Sequence, residues 1–188
     1  MLASKTALLV IDVQTAMFTD GEPPHRASDL LGVVASLIER ARASQTPVIF
    51  VRHEAATYDA MKPGHPGFEI HADVAPREGE VIIDKQACDA FCETPLGALL
   101  EHLDVGRVVI TGMQTDYCVD TACRSALHRG YDVVLAADGH STTGNGVLSA
   151  EQIIAHHNKT LAGLPRPGFD ITVIPGAEIE FAEVALAV

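Results

Sequence analysis

The chain has a thiol where a buried-strand pattern gives way to a helical one. In Val108-Val109-Ile110-Thr111-Gly112-Met113-Gln114-Thr115-Asp116-Tyr117-Cys118-Val119 the apolar run breaks at a glycine, and Cys118 opens the next helix. A helix N-terminus is partly positive and carries unpaired N–H groups, so the pattern predicts a thiol biased toward thiolate, a candidate nucleophile. Asp12 ends the run Leu8-Leu9-Val10-Ile11, and Lys85 ends Val81-Ile82-Ile83-Asp84. A carboxylate beside a thiol can take its proton and return it to a leaving amine. An ammonium beside both favours their charged forms, and backbone N–H groups at the helix start can hold an oxyanion. Each residue also has an ordinary use: a buried small apolar cysteine, a capping aspartate, a solvated lysine.

Positioning these groups falls to six short apolar runs: Ala7–Ile11, Val48–Val51, Val81–Ile83, Val108–Thr111, Val133–Ala136 and Ile171–Ile174. They are nearly continuous rather than alternating, as expected of parallel strands covered on both faces. Helical patterns lie between them. Ser28 precedes a stripe of Leu31, Val34, Ile38 and Ala41, and Thr94-Pro95 precedes Leu96, Leu99, Leu100 and Leu103. Val119, Ala122, Ala126 and Leu127 share a face, and Ser149-x-x-Gln152 is a capping box before Ile153, Ile154, His157 and Leu161. Such alternation predicts an α/β fold: a single domain over 1–188, a three-layer α/β/α sandwich on a six-stranded parallel sheet. If the order is 3-2-1-4-5-6, strands one and four are neighbours. Asp12 then faces Cys118 at the carboxyl edge where ligands bind, and Lys85 reaches back from two strands away. The stretch 55–79, rich in Pro, Gly and His, is the longest irregular segment, a candidate binding loop.

Composition narrows the function classes. Thirteen basic against 25 acidic residues give a formal net charge of −12, which argues against nucleic acid and anionic membrane as partners. No segment approaches the roughly 18 apolar residues of a membrane span, and Met1–Thr6 lacks a signal-peptide apolar stretch. A cytoplasmic protein with thiols rather than disulfides is the expectation. Neither Cys88/Cys92 nor Cys118/Cys123 has C-x₂-C spacing, which argues against structural zinc.

Three separated motifs, in order, resemble the isochorismatase-like cysteine hydrolases, a superfamily that includes nicotinamidases and N-carbamoylsarcosine amidases. They are Asp12-Val13-Gln14, Lys85 with Ala90-Phe91 and Thr94-x-Leu96, and Gly112 to Val119 with Thr121-Ala122. The likeness runs from about Thr6 to Asp138 and includes Gly130-Tyr131-x-Val133. It implies Asp12 as general base, Lys85 as its charged partner and Cys118 as nucleophile. It also implies a cis peptide between Met113 and Gln114 that turns the Gln114 and Cys118 N–H groups toward an oxyanion, and homo-oligomerisation, for which Phe181–Val188 is an apolar candidate interface.

True isochorismatases cleave a vinyl ether and lack the cysteine, so Cys118 implies hydrolysis of an amide, imide or ureido bond through a thioester. Nicotinamidases carry an Asp-x-His pair and a further His for a metal. Here Val51-Arg52-His53-Glu54 stands in that place, and His65 and His71 lack the matching aspartate. No metal and no cofactor are expected. Phe18, His53, Tyr58, Phe68, Phe91 and Tyr117 are candidate pocket residues near the carboxyl edge. Arg52 or Arg124 is a candidate for a substrate carboxylate, and His140 for the pocket rim. Three readings compete: an isochorismatase-type hydrolase of a non-amide substrate, an idle small-molecule binder, and a receiver-like phospho-acceptor domain. The last wants an aspartate after the third strand and a lysine after the fifth, the reverse of Lys85 and Asp138.

Overall fold

The computed structural model describes residues 5–181. Six strands form one sheet: β1 (Lys5–Ile11), β2 (Val48–His53), β3 (Val81–Lys85), β4 (Val105–Met113), β5 (Asp132–Ser141) and β6 (Ile171–Ile174). Their order is β3-β2-β1-β4-β5-β6, and every pair is parallel, as the sequence predicts. Parallel neighbours need crossovers: α1 (Ala16–Thr19) and α2 (Ala27–Ala43) lie between β1 and β2, α3 (Leu96–His102) between β3 and β4, α4 (Asp120–Arg129) between β4 and β5, and α5 (Ala150–Leu161) between β5 and β6. The chain passes from β2 to β3 without an α-helix.

Alternation along the central strands sorts side chains between two cores. Ala7, Leu9 and Ile11 of β1 face one core with Leu96 and Leu100 of α3, Ala122 and Ala126 of α4, and Leu161 of α5. Leu8 and Val10 face the other with Val34, Leu37 and Ile38 of α2. Successive Cβ atoms point to opposite faces, so a strand clad on both sides must be apolar throughout. That pattern fails at the sheet edge: Val81 and Ile82 of β3 are exposed, because an edge strand has less of the layer above it.

Helix starts follow local chemistry. The capping box at Ser149 and Gln152 forms in both directions, and the Thr94 hydroxyl accepts the Leu96 N–H. Ser28 is not a cap. The α2 helix already begins at Ala27, one residue before it, after Arg26 in a left-handed conformation, and Arg26 ion-pairs with Asp29 in the first turn.

The segment 55–79 is anchored by three single 3₁₀ turns, Asp59–Met61, Pro66–Phe68 and Ala72–Val74. Phe68 is fully buried beneath the Arg52 guanidinium, 4.4 Å from the ring centre. The fully buried Gln14 amide donates to the carbonyls of His53 and Phe68 and accepts the His53 N–H, tying the segment to the ends of β1 and β2. Of the apolar tail, residues 182–188 lie outside those described. Phe181 itself is partly buried against the α2 core, near Arg40.

Candidate active site

Register brings the reacting groups together. Ile11 pairs with Val51 on one side and with Gly112 on the other, and His53 pairs with Lys85. Asp12 therefore leaves β1 between the ends of β2 and β4, in a left-handed conformation (φ 51°) that turns its side chain out of the strand. Aspartate tolerates that region better than most residues do. Gly112 sits at φ 122°, where an added Cβ would lie 2.0 Å from the Ile11 carbonyl oxygen; only glycine lets β4 pass β1 there. The Met113–Gln114 peptide that follows is cis.

Cys118 does not open the helix. Thr115–Val119 forms one π-helical turn ahead of α4, with the Tyr117 and Val119 N–H groups both on the Gln114 carbonyl, and Cys118 is its fourth residue. The residue is buried, 8% exposed. Lys85 Nζ donates to Asp12 Oδ2 at 2.8 Å, to Cys118 Sγ at 3.2 Å, and lies 3.2 Å from His53 Nδ1. The three residues named for catalysis thus meet in one buried cluster, with His53 as a fourth member.

Opposing electrostatic effects act on the Cys118 sulfur. Burial pushes the Cys118 thiol well up, and the Asp12 carboxylate pushes it further; the Lys85 ammonium only partly offsets them. Burial and Asp12 thus oppose the thiolate that a helix start favours, and Lys85 supports it. Lys85 remains charged: burial opposes the ammonium, but Asp12 and Cys118 raise its pKa overall. Asp12 Oδ1 is buried with no hydrogen-bond partner among the described residues, an open acceptor in a dry place. The arrangement can hold an ammonium–carboxylate pair and pass the thiol proton to the carboxylate as sulfur attacks.

The cluster also bears on metal binding. Asp12, His53 and Cys118 offer ligand atoms within 4.8 Å of one another, the one such group among the described residues. The Lys85 ammonium already bonds to or touches all three, which places a fixed cation where a metal ion would sit. His65 and His71 each spend Nδ1 on a backbone N–H, of Gly67 and Asp73, and Arg52 runs to Asp84 and Glu69. These residues do not fit a metal site of the Asp-x-His kind.

The other pocket candidates divide. Tyr58 lines a cleft of about 200 Å³ with Ala16, Met17, Asp20, Glu22 and Gln114, and its hydroxyl donates to Asp20. Tyr117, next to Cys118, is 53% exposed. Phe18 packs on the His71 ring, 4.8 Å between centroids. Phe91 lies away from the site: it stacks on Tyr131 under Arg129, at the far end of α4. It follows β3 in sequence, but the chain dives into the core before α3. Arg124 pairs with Asp120 one turn back on its own helix, so neither arginine is free for a carboxylate.

A second polar network escaped sequence reasoning. Buried His140 bonds Thr115 Oγ1 through Nδ1 (2.9 Å) and Asn158 Oδ1 through Nε2 (2.8 Å), and Asn158 donates to the Ala137 carbonyl. With the amide so oriented, Nε2 carries the ring proton and Thr115 donates to Nδ1. Thr142 similarly donates to Asp116. The last strand residues of β5 thereby brace the turn that holds Cys118. They do so through a register shift opposite Ile110 and Gly112, which no motif signals.

The chain matches the Isochorismatase domain family over residues 6–151. It is 36% identical to a streptothricin hydrolase of Streptomyces noursei over 136 residues, 72% of this chain and 49% of that protein. The chain thus spans about half the length of that curated relative. The crystal structure of an isochorismatase family protein superposes with a TM-score of 0.81 at 32% identity, covering 89% of this chain and 96% of the other. N-carbamoylsarcosine amidase from Thermoplasma acidophilum gives 0.75 at 25% identity, over 94% and 99%. A doubly wound parallel sheet is the architecture that the chain shares with these structures. The chain belongs to the isochorismatase family of hydrolases.

Proposed function

We propose that the protein hydrolyses a small-molecule amide, imide or ureido C–N bond through a Cys118 thioester, without a metal. One observation carries the reading: a single buried ammonium touches both the carboxylate of Asp12 and the sulfur of Cys118. As Sγ attacks the carbonyl carbon, its proton passes to Asp12 and the carbonyl electrons move onto oxygen. The Gln114 and Cys118 N–H groups receive that oxyanion. Collapse expels ammonia, an amine or, from an imide, an amide, and that leaving nitrogen takes the proton back from Asp12. Water, deprotonated by the same carboxylate, then cleaves the thioester and restores the thiol. Lys85 keeps the site near neutral while charge moves between its two partners. The amidase among the structural neighbours supports a C–N substrate.

Ammonia release from a panel of amides and ureido compounds, with carboxylic acid formation as the readout for imides, tests this. Release should vanish in Cys118→Ser and in Asp12→Asn, and activity surviving both defeats the mechanism. Dialysis against a chelator should leave the rate unchanged. A loss restored by zinc or manganese contradicts the metal-free reading.

A further inference from the structure

We propose that His53 is a positioning residue: its Nδ1 is the third acceptor of the Lys85 ammonium, and it holds that ammonium between Asp12 and the Cys118 sulfur only while the imidazole is uncharged. The inference rests on the cluster reading above and gives His53 a place other than substrate contact.

An ammonium has three N–H donors and no acceptor. The structure gives Lys85 three partners: Asp12 Oδ2 at 2.8 Å, Cys118 Sγ at 3.2 Å and His53 Nδ1 at 3.2 Å. Since the ammonium can only donate, Nδ1 must be unprotonated and the ring proton must sit on Nε2. The Ala87 backbone is also within reach of the ring. The residue cannot easily withdraw, because Gln14 clamps its backbone from both sides and β3 pairs it with Lys85. The charged groups facing the ring are Lys85, Asp12 and Glu54, with Cys118 beside them. Burial, and then Lys85, lower the His53 pKa, while Asp12 and Glu54 oppose this less strongly. If His53 takes up a second proton, Lys85 loses an acceptor and gains a cation as neighbour. The ammonium is then driven toward Asp12 and away from sulfur.

The test needs no substrate, so its outcome is independent of whether amide hydrolysis is found. Long-range ¹⁵N–¹H spectra of the full chain report the His53 tautomer, assigned by its disappearance in His53→Asn. Iodoacetamide modification of Cys118, followed by peptide mass, reports the sulfur as a function of pH. A neutral Nε2–H tautomer is expected at pH 7. The acid arm of Cys118 modification should carry a step that coincides with the His53 titration. In His53→Asn, whose amide oxygen can replace Nδ1, the step should vanish while the rate at pH 7 stays within about threefold. His53→Leu should slow modification about tenfold, through the unsatisfied buried donor. An Nδ1–H tautomer overturns the proposal, as does an unchanged acid step in His53→Asn. The tautomer measurement stands even if the leucine variant does not fold.

Discussion

At the scale of residues, the proposed function rests on a division of labour among a carboxylate, an ammonium and a thiol. A buried thiol with no counter-charge would be inert, and among the described residues Lys85 is the cation that touches Cys118. Replacing it, as in Lys85→Met, leaves burial and Asp12 to push the thiol up unopposed. Cys118 modification by iodoacetamide should then slow at every pH below the alkaline range, and turnover should fall by at least about a thousandfold. The double variant Asp12→Asn/Cys118→Ser should be no slower than the single ones, because groups that act as a unit do not add. Steady-state ammonia release measures both. Asp12, Lys85 and Cys118 were legible in the sequence because each ends a readable apolar run or follows one. The contact of His53 with Lys85 was not, since it depends on the β2–β3 register, and neither was the burial that pushes the Cys118 thiol up.

At the scale of elements, two backbone devices do different work: the close pass of β4 over β1 at Gly112 shapes the site, and the cap that starts α5 serves stability. Gly112→Ala puts a methyl into the Ile11 carbonyl at a φ hostile to alanine, so strand and site must both shift. A loss of about 3 kcal/mol or more in urea unfolding, with the activity gone, is the expected result. Ser149→Ala removes only the acceptor of the Gln152 N–H, far from Cys118. Its expected cost is about 1 kcal/mol, with turnover unchanged. The capping box could be read directly because its chemistry is local. The start of α2 could not: Arg26 sits in a left-handed conformation and pairs with Asp29, which displaces Ser28 from the capping position. The segment 55–79 reads as an open loop, yet Gln14 and Phe68 bind it to the core through contacts distant in sequence.

At the scale of the whole molecule, the strand order could be deduced because parallel strands joined by helices leave few topologies, and that order alone brings residues 12, 85 and 118 to one edge. The brace behind the site links folding to pH. Burial lowers the pKa of His140 to about 4, so the folded protein holds it neutral while the unfolded chain protonates near the ordinary histidine value of about 6.5. Its contribution is complete above that value and is lost as pH falls toward 4. This amounts to about 3 kcal/mol, and His140→Gln should flatten that part of the stability–pH curve in urea titrations. The central claim is more directly tested during turnover. With an amide substrate from the ammonia-release panel, rapid acid quench followed by mass analysis of the Cys118 peptide should find it carrying the acyl group in the steady state. Ammonia released at the full rate with Cys118 never acylated, and undiminished in Cys118→Ser, would contradict the account.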